Sequence, residues 1–465
     1  MKFTTVQQKV ISNLPTYLQC FLRSISQDQA INFEKANKIF GSNELAVQGG
    51  LDLVKSQGNH AVIGNQVYLN LQGGFRSQLF GYNPEVFKRP EIEKLLSRLT
   101  VNKTAHDDFL PDEITAAITV IYDILLKPNG YSMYTATDGG TSANSDAVSL
   151  ICNTITYFNE KHGHNIKGQD LIIVGLEGAF HGREMMSGLT HGNQKIKNIP
   201  KLGNFQHIPF PQDTEESIAH SIQCLRQLIN DNPHKVAGFF MEPIQCEFGD
   251  RHVPKGFAIA LDELRKEMTQ KGMPFFTVYD EVQTGLNSRE FLMSKTMGFP
   301  PSNIVTLSKR TGVAIIAVDS DIASLEPTAI KVKGAQSSTF RGDTANHVFL
   351  ALKLLVIEAN GLRENIRIRS QEFLDGLKKI KASYLVLIKD VRGIDGILTI
   401  EFNSPQLCQK FQEIALDKCH LITLGARNKA IIRLSLTIDI KPEVVHDALN
   451  RIEEALQKTI PRCKL

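Results

Sequence analysis

Short apolar runs alternate along the middle of the chain with segments whose apolar residues recur at helical spacing. The strand-like runs are Met133–Ala136, Leu171–Leu176, Val236–Met241, Phe275–Tyr279 and Ile304–Leu307. The helical patterns between them are Ser142–Lys161, Thr214–Asn230 and Pro254–Lys271. This alternation predicts an α/β domain with a mostly parallel sheet flanked by helices.

The pattern differs on either side of this region. The first 60 residues mix helical periodicity with turns, and helical spacing then returns in Glu91–Leu99 and Pro111–Leu126. After residue 345 the pattern predicts a long helix at Ala345–Glu358, followed by a second helix. Short strands near Gly396–Phe402 and Ile431–Leu436 and a closing helix from Lys441 complete this part. We therefore expect an N-terminal arm or part of a small domain (1–65), a large α/β domain (66–344) and a smaller α+β C-terminal domain (345–465).

Composition narrows the classes of function. The 465 residues carry 52 basic and 49 acidic side chains, a net charge of +3, which leaves no electrostatic footprint for nucleic acid. No apolar run is long enough for a membrane span, and the first residues lack the pattern of a secretory signal. The seven cysteines are scattered without a CxxC pair, so we expect reduced thiols, a cytoplasmic location and no metal site.

Polar or glycine-rich motifs follow the strand-like runs. They are 138–141 (Asp-Gly-Gly-Thr), 178–183 (Gly-Ala-Phe-His-Gly-Arg), 242–247 (Glu-Pro-Ile-Gln-Cys-Glu), 280–283 (Asp-Glu-Val-Gln) and Lys309. Ligands of open α/β sheets bind beyond the carboxyl ends of the strands. The motifs are therefore expected to meet at one edge of the sheet.

Asp280 and Lys309 each close an apolar run, one with a carboxylate and the other with an amine. A lysine and an aspartate in such positions suit a pyridoxal phosphate enzyme, in which the lysine holds the aldehyde as a Schiff base and the aspartate keeps the pyridine nitrogen protonated. The alternatives are a helix-capping aspartate and a solvated surface lysine.

Three further motifs contain candidates for binding. Gly140 and Thr141 lie between a strand and a helix, where backbone N–H groups could hold a phosphate, although a glycine turn with a capping residue has the same pattern. Phe180 could stack on a planar cofactor or simply belong to the core. Arg183 could clamp a carboxylate or form a surface ion pair.

Two further polar residues each have a functional and a purely structural interpretation. Gln283 could contact a ring oxygen of the cofactor or lie on a helix surface. Arg433 lies inside an apolar strand and needs a partner if it is buried, which could be Glu247 or a substrate carboxylate.

Together these motifs resemble the class III (ω-) aminotransferases of the pyridoxal phosphate fold-type I superfamily, over roughly residues 60–458. Glu-Pro-Ile-Gln at 242–245 and Asp-Glu-Val-Gln-Thr-Gly at 280–285 are typical of that class. Within it, the chain looks most like the L-lysine 6-aminotransferases, in the segments 99–103, 178–183, 242–252 and 308–311. Four segments depart from the usual pattern. They are the phosphate loop at 139–144, Cys246 and Phe248 where small residues are common, Arg-Thr-Gly-Val at 310–313 in place of a glycine-rich run, and Ser-Thr-Phe-Arg-Gly at 338–342, which is closer to diaminobutyrate aminotransferases.

The resemblance implies a role for each cofactor-binding candidate. Lys309 would carry pyridoxal 5'-phosphate and shuttle a proton, and Asp280 would pair with the ring nitrogen. Phe180 would stack on the ring. The remaining contacts would come from Gln283 to the phenolic oxygen, and from Gly140 and Thr141 to the phosphate.

The resemblance also implies substrate and partner contacts. Arg433 would bind a carboxylate of 2-oxoglutarate, and Glu247 would be a gate that pairs with Arg433 while the amine donor reacts. Arg183 would take the α-carboxylate of lysine. Thr339 would reach the phosphate in the other subunit, which implies a homodimer with composite active sites.

The expected activity is transfer of a terminal amino group, most simply from L-lysine, to 2-oxoglutarate. Ornithine, diaminobutyrate and 4-aminobutyrate are alternative donors within the class. A racemase or aminomutase on the same fold is disfavoured because both Glu247 and Arg433 are present, and a binding protein without catalysis is disfavoured by intact Asp280, Gln283 and Lys309.

Overall fold

The computed structural model describes residues 49–103, 109–192, 198, 203–325 and 343–459. Thr339 therefore lies outside the described residues. The strands, in chain order, are β1 Leu51–Gln57, β2 His60–Ile63, β3 Gln66–Asn70, β4 Met133–Thr137, β5 Ile172–Leu176, β6 Asn204–Ile208, β7 Val236–Met241, β8 Ile244–Gln245, β9 Arg251–His252, β10 Phe276–Asp280, β11 Ile304–Leu307, β12 Ala314–Val318, β13 Ile388–Ile394, β14 Ile397–Phe402, β15 Leu421–Ile422, β16 Leu424–Gly425 and β17 Ile431–Ser435.

Helices cover both sides of the sheets and link them. The α-helices are α1 Pro90–Val101, α2 Asp112–Ile121, α3 Gly140–Lys161, α4 Glu215–Asp231, α5 Lys255–Gln270, α6 Met293–Thr296, α7 Ser320–Ser324, α8 Thr344–Ala359, α9 Leu362–Ser383, α10 Pro405–Cys419 and α11 Pro442–Thr459. Short helical turns of other types are Gly73–Arg76, Glu85–Phe87, Tyr122–Leu126, Lys127–Asn129, Gly168–Asp170, Glu184–Gly188 and Lys309–Thr311. Among the described residues no single helix is long and apolar enough to cross a membrane; α8 and α9 would pass as a pair, but they are bent by 71°.

A seven-stranded sheet in the order β4-β12-β11-β10-β7-β5-β6 forms the centre of the large α/β part. β12 is antiparallel to both of its neighbours, and the other adjacent pairs are parallel. This architecture confirms the predicted α/β fold with a mostly parallel sheet flanked by helices. β12 was not among the predicted strand-like runs, and its antiparallel direction has no local signal, because an apolar run indicates a buried strand but not the direction in which it runs.

The two faces of this sheet are buried under different helices. Alternate residues along a strand point to opposite faces, so Val278 packs with residues of α3 while Tyr279 packs with residues of α4 and α5. Burial on both faces explains why the central strands are continuous apolar runs rather than alternating ones.

A second sheet, in the order β13-β14-β17-β16, is formed by the C-terminal part. Arg433 lies in β17 opposite Thr399 of β14. Of residues 1–60, for which a mixture of helix and turns is expected, only 49–60 lie among the described residues, and these contribute β1 and the start of β2 to a meander of β1, β2 and β3.

The strand β3 pairs in parallel with β15. The domain boundaries near 65 and 344 stay predictions.

Candidate active site

A cleft of about 160 Å³ opens where β4, β10 and β11 end. It brings together six of the predicted residues from four separate motifs. Its lining consists of Gly140, Thr141, Asn144, Phe180, His181, Gly182, Glu242, Asp280, Val282, Gln283, Ser308 and Lys309.

Asp280 is buried at the end of β10 and accepts hydrogen bonds on both carboxylate oxygens. Oδ2 lies 2.7 Å from Nδ2 of Asn144 and 2.8 Å from Nδ1 of His181, and Oδ1 accepts the backbone N–H of Val282 at 3.0 Å. The three donors therefore fix the orientation of the carboxylate at the cleft.

Asn144 and His181 were not among the predicted site residues, although both belong to predicted motifs. The hydroxyl of Thr306 donates to Oδ1 of Asn144 at 2.7 Å, which turns the amide nitrogen towards Asp280. His181 is buried and its Nδ1 faces a carboxylate, which assigns the proton to Nδ1. His181 had a signal in the sequence, because it precedes Gly182 in a motif that follows a strand, whereas Asn144 lies inside α3, four residues after Gly140, and had no such signal.

The next residue after Asp280 faces the other way. Glu281 is buried and accepts the backbone N–H groups of Met293 and Ser294 at 3.0 and 2.7 Å, at the start of α6. The side-chain alternation of a strand predicts this opposition. Glu281 is thus a structural carboxylate beside a cleft-facing one.

Lys309 follows β11 in the left-handed backbone region, with φ of 49°, and its Nζ donates to the backbone carbonyl of Phe75 at 2.8 Å. Burial lowers the pKa of its amine to about 8, although the carboxylate of Glu247 works in the opposite direction. A larger fraction of the amine is therefore neutral, and the neutral form is the nucleophile.

The carbonyl that receives this amine belongs to an unusual turn. Gly73, Gly74, Phe75 and Arg76 all have φ between 55° and 66°. The two side-chain-bearing residues cost about 1–2 kcal/mol each in this conformation. Arg76 is fully buried and forms a bidentate ion pair with Asp250 at 2.6 and 2.7 Å, which holds the turn in place.

Glu242 supports the loop that carries Phe180. Its Oε1 accepts the backbone N–H of Phe180 at 2.8 Å. Burial, and then the nearby charge of Asp280, raise the pKa of Glu242 well above its ordinary value. Phe180 is thereby held at the wall of the cleft.

A charged pair lies beside the cleft. Nη1 of Arg433 donates to Oε1 of Glu247 at 3.1 Å, and Nε2 of Gln283 donates to the same oxygen at 2.9 Å. Burial is the largest influence on Glu247 and would raise its pKa, but the Arg433 cation and the hydrogen bond from Gln283 together outweigh burial, and the pKa is lowered. The other donors of Arg433 bind the carbonyl of Gly425 from Nε and Nη2, and Nη1 also reaches the carbonyl of Cys246.

Arg183, in contrast, is exposed and does not line the cleft. Its side chain makes no hydrogen bond or ion pair with another residue in the described part of the chain, although its backbone carbonyl accepts the N–H of Met186 at 3.1 Å. Its expected role with a substrate carboxylate stays a prediction.

The cleft fits the expected planar phosphate cofactor. Nε2 of His181 and Oε1 of Gln283 are buried and have no hydrogen-bond partner among the described residues. α3 begins at Gly140 with its free backbone N–H groups towards the cleft end of β4, and its first turn contains no acidic residue. Gly182 has φ of 126°, and a Cβ there would lie 2.7 Å from the hydroxyl oxygen of Thr141. Asp280, the open carbonyl of Gln283 and the start of α3 thus match a ring nitrogen, a ring hydroxyl and a phosphate.

Curated relatives match most of the chain. It is 26% identical over 356 residues to the L-lysine-epsilon aminotransferase of Mycobacterium tuberculosis, covering 74% of this chain and 78% of that protein. It is 24% identical over 455 residues to the 4-aminobutyrate aminotransferase of Dictyostelium discoideum, covering 91% and 88%. The mitochondrial ornithine aminotransferase of Oryza sativa subsp. japonica is 23% identical over 425 residues, covering 88% and 82%.

Solved structures share the fold. The lysine aminotransferase of M. tuberculosis superposes with a TM-score of 0.84 at 23% identity, covering 92% of this chain and 100% of that one. The ornithine aminotransferase of Toxoplasma gondii gives a TM-score of 0.77 at 19% identity, covering 94% and 97%. The model of the family "Aminotransferase class-III" matches residues 51–456. This chain therefore belongs to the class III aminotransferases, which are enzymes that depend on pyridoxal 5'-phosphate.

Proposed function

We propose that this aminotransferase moves the terminal amino group of L-lysine to 2-oxoglutarate, giving glutamate and a semialdehyde that cyclises. The observation that carries the proposal is the ion pair between Glu247 and Arg433, with 3.1 Å between Oε1 and Nη1, in the neighbourhood of Lys309. A cation that can be either covered or exposed suits a site that must accept two different substrates in turn.

The pair separates the two half-reactions by charge. While Glu247 neutralises Arg433, a donor has no free cation beside the reacting carbon, so a terminal amine enters rather than an α-amino group with its carboxylate. When Glu247 moves away, Arg433 can bind the carboxylate next to the keto group of 2-oxoglutarate. A racemase or aminomutase handles one substrate and has no use for such an alternation.

The residues of the cleft divide the chemistry among them. When bound, the cofactor supplies an aldehyde for the amine and an electron sink for the carbanion. Lys309 has an amine whose pKa of about 8 suits it to take and return the proton at the reacting carbon. Asp280, oriented by Asn144 and His181, holds the proton on the ring nitrogen.

The proposed contacts to the cofactor follow from the same geometry. The buried carbonyl oxygen of Gln283, which has no partner among the described residues, would face the ring hydroxyl, and Phe180 at the cleft wall would cover the ring. Gly140 and Thr141, at the start of α3, would hold the phosphate. Thr339 of a second copy is proposed to complete the phosphate site, which makes the enzyme a homodimer.

Lysine is favoured as donor by the motif resemblance and by the 26% identity to an L-lysine-epsilon aminotransferase. Relatives that carry ornithine and 4-aminobutyrate in their names lie at 23% and 24% identity. These identities are too close to one another to select the amino donor, so an assay has to decide it.

The test is a donor panel on purified protein loaded with cofactor. Glutamate formation from 2-oxoglutarate is measured with L-lysine, L-ornithine, L-2,4-diaminobutyrate and 4-aminobutyrate, with Lys309→Ala as the inactive control. We expect the highest kcat/KM with L-lysine. A higher value with another terminal amine would replace lysine, and interconversion of one amino acid without a keto acid would overturn the proposal.

A second measurement addresses the lysine itself. The loaded protein should be yellow, and borohydride should attach the cofactor irreversibly to the peptide that contains Lys309. Attachment at any other lysine would contradict the assigned role.

A further inference from the structure

A lysine of α8, Lys353, binds the turn that carries Lys309. Its Nζ donates to the backbone carbonyl of Arg310 at 3.2 Å, and no other donor reaches this carbonyl in the described part of the chain. Lys353 is 9% exposed, and its Nζ lies 4.5 Å from the centroid of the Phe349 ring. A buried carbonyl next to the reactive lysine therefore depends on a single amine for its hydrogen bond.

Lys353 has no carboxylate to neutralise it. Among the described residues no acidic side chain forms an ion pair with it, and burial lowers the pKa of its amine to about 8. A buried amine without a counter-ion is less favourable than an apolar side chain of similar length, unless it makes contacts that the apolar side chain cannot make. The hydrogen bond to the carbonyl of Arg310 and the contact with the ring of Phe349 are two such contacts.

The side chain of Arg310 extends this support to the group that accepts the amine of Lys309. Its Nε donates to the carbonyl of Gln78 at 3.1 Å, and the N–H of Gln78 donates to the carbonyl of Gly73 at 3.0 Å. Gly73 begins the left-handed turn in which the carbonyl of Phe75 accepts the amine of Lys309. Arg310 therefore links the backbone of the reactive lysine to the turn that its amine contacts.

The same guanidinium also binds the C-terminal sheet. Its Nη2 donates to Oγ of Ser435 at 2.9 Å and to the carbonyl of Leu436 at 3.1 Å, at the end of the strand β17 that carries Arg433. Arg310 is 1% exposed. A displacement of its backbone would therefore disturb three segments that meet at the cleft.

The conformation of the turn itself needs support. Lys309 has φ of 49° although it carries a side chain, and Gly312 has φ of 80°. The N–H of Gly312 donates to the carbonyl of Lys309 at 2.9 Å, and a Cβ on Gly312 would lie 3.4 Å from Nζ of Lys353. A left-handed residue with a side chain persists only where its surroundings hold it. Lys353 supplies one of those contacts.

We propose that Lys353 is a positioning residue for Lys309, which acts by holding the backbone carbonyl of Arg310. The inference rests on the proposed role of Lys309. Lys353 does not line the cleft, so its effect is on where the amine of Lys309 lies when it takes and returns the proton at the reacting carbon. A displacement of about 1 Å in such a group lowers the rate by up to about a hundredfold.

The experiment removes the donor and keeps the length of the side chain. Lys353→Met is compared with the wild type, with Lys353→Arg and with the packing control Leu354→Ala on the same helix. For each protein, kcat and KM are measured with the best donor of the panel, and again with that donor deuterated at the carbon that bears the transferred amine.

In Lys353→Met we expect kcat to fall about 10- to 100-fold with little change in KM. The isotope effect on kcat should rise, because proton transfer becomes slower than the other steps. Lys353→Arg keeps a cationic donor and should lose much less. Leu354→Ala loses only apolar packing, so it should have a lower Tm and an unchanged isotope effect.

A second measurement needs no cofactor. The pH midpoint for modification of Lys309 by an amine-specific reagent is determined by peptide mapping in the cofactor-free proteins. If Lys353 keeps the amine of Lys309 in its buried position, the midpoint should rise in Lys353→Met from about 8 towards the ordinary lysine value of about 10.4. Thermal unfolding establishes that each variant is folded, and Lys353→Gln, whose shorter side chain withdraws the donor, takes the place of Lys353→Met if that variant is not.

The outcomes separate this inference from the proposed function. An unchanged isotope effect together with an unchanged midpoint in folded Lys353→Met overturns the inference, and equal changes in Leu354→Ala overturn it as well. If borohydride attaches the cofactor to a lysine other than Lys309, the proposed function loses its reactive residue. The midpoint in the cofactor-free protein then still decides whether Lys353 positions the amine of Lys309.

Discussion

Nδ1 of His181 lies 2.8 Å from Oδ2 of Asp280, and both side chains are buried. His181 and Asn144 share that oxygen as donors, while the backbone N–H of Val282 binds the other one. These three donors satisfy both oxygens of the Asp280 carboxylate and fix the direction of its charge at the end of a buried strand.

The first prediction concerns this charge. Asp280→Asn keeps the shape of the side chain and removes its charge, so the ring nitrogen of the cofactor loses its counter-ion. We expect kcat to fall at least about a hundredfold, in line with the loss of one preorganised electrostatic contact. Half-reaction kinetics with L-lysine measure the effect.

Glu281→Gln is the matched control for Asp280→Asn. It makes the same change on the neighbouring buried carboxylate, which caps α6 rather than facing the cleft. We expect a lowered Tm and a much smaller loss of kcat. Equal losses of kcat in the two variants would mean that Asp280 acts only through the fold.

The second prediction concerns the amine of Lys309 in the cofactor-free protein. Its pKa of about 8 should appear as the midpoint of its reaction with an amine-specific reagent, followed by peptide mapping against pH. Because the Glu247 carboxylate raises this pKa, Glu247→Gln should move the midpoint below 8. A midpoint near 10.4, as in an unperturbed lysine, would contradict the burial of the amine.

The pH dependence of the free energy of unfolding tests the lowered pKa of Lys309 independently. The pKa of Lys309 is lower in the folded chain than the value of about 10.4 for an unfolded one, so the unfolded state binds more protons between these values. The free energy of unfolding should therefore rise with pH from about 8 to 10.4 relative to Lys309→Met. Denaturant unfolding of the two cofactor-free proteins at both ends of this window gives the sign.

The third prediction concerns the gate. In Glu247→Ala, Arg433 stays exposed to any carboxylate beside the reacting carbon, so glutamate should react faster relative to L-lysine than in the wild type. Arg433 keeps its bonds to Gly425 and Cys246, and we expect a stability loss of about 2 kcal/mol for the broken charged hydrogen bond. Single-turnover rates with both donors provide the ratio.

Glu247→Gln helps to interpret that ratio, because it keeps an oxygen near Arg433 but removes the charge. An intermediate ratio is expected. If both variants keep the wild-type ratio of glutamate to lysine rates, Glu247 is a structural partner of Arg433 and not a gate.

The fourth prediction concerns the second subunit. If Thr339 of one copy completes the phosphate site of the other, subunits that carry Lys309→Ala and Thr339→Ala should complement each other. One of the two sites in each hybrid is then free of both lesions. Hybrids are purified with two affinity tags, and activity near half of the wild-type value per dimer is expected. A hybrid as inactive as its parents would place Thr339 in the site of its own subunit.

Much of the α/β fold was predictable because its signals are local. The central strands are buried on both faces, so each is an apolar run that ends at a polar motif, and the predicted bounds of β5, β7 and β11 agree with the structure to within a residue. The meander β1–β3 was missed because most residues of its strands are exposed or only partly buried, which leaves little apolar periodicity.

The chemistry at the strand ends was determined by the sequence in the same local way. Asp280 and Lys309 close apolar strands, and parallel strands bring their ends to one edge of the sheet. The sequence contains no comparable local pattern for the contacts between residues that are far apart in the chain. The pairing of Arg76 with Asp250, of Phe75 with Lys309 and of Arg427 with Phe180 joins residues 174, 234 and 247 positions apart.

The sequence by itself thus determined the fold class and the reactive groups. A buried strand and the polar residue that ends it are both visible within a few consecutive residues. Only the tertiary structure decided which long-range contacts each polar side chain makes. Arg183 and Arg427 are both basic residues next to polar segments, but one is exposed while the other is held over an aromatic ring by a backbone carbonyl. That difference arises from how the β16–β17 loop packs against the cleft wall, and no local pattern encodes it.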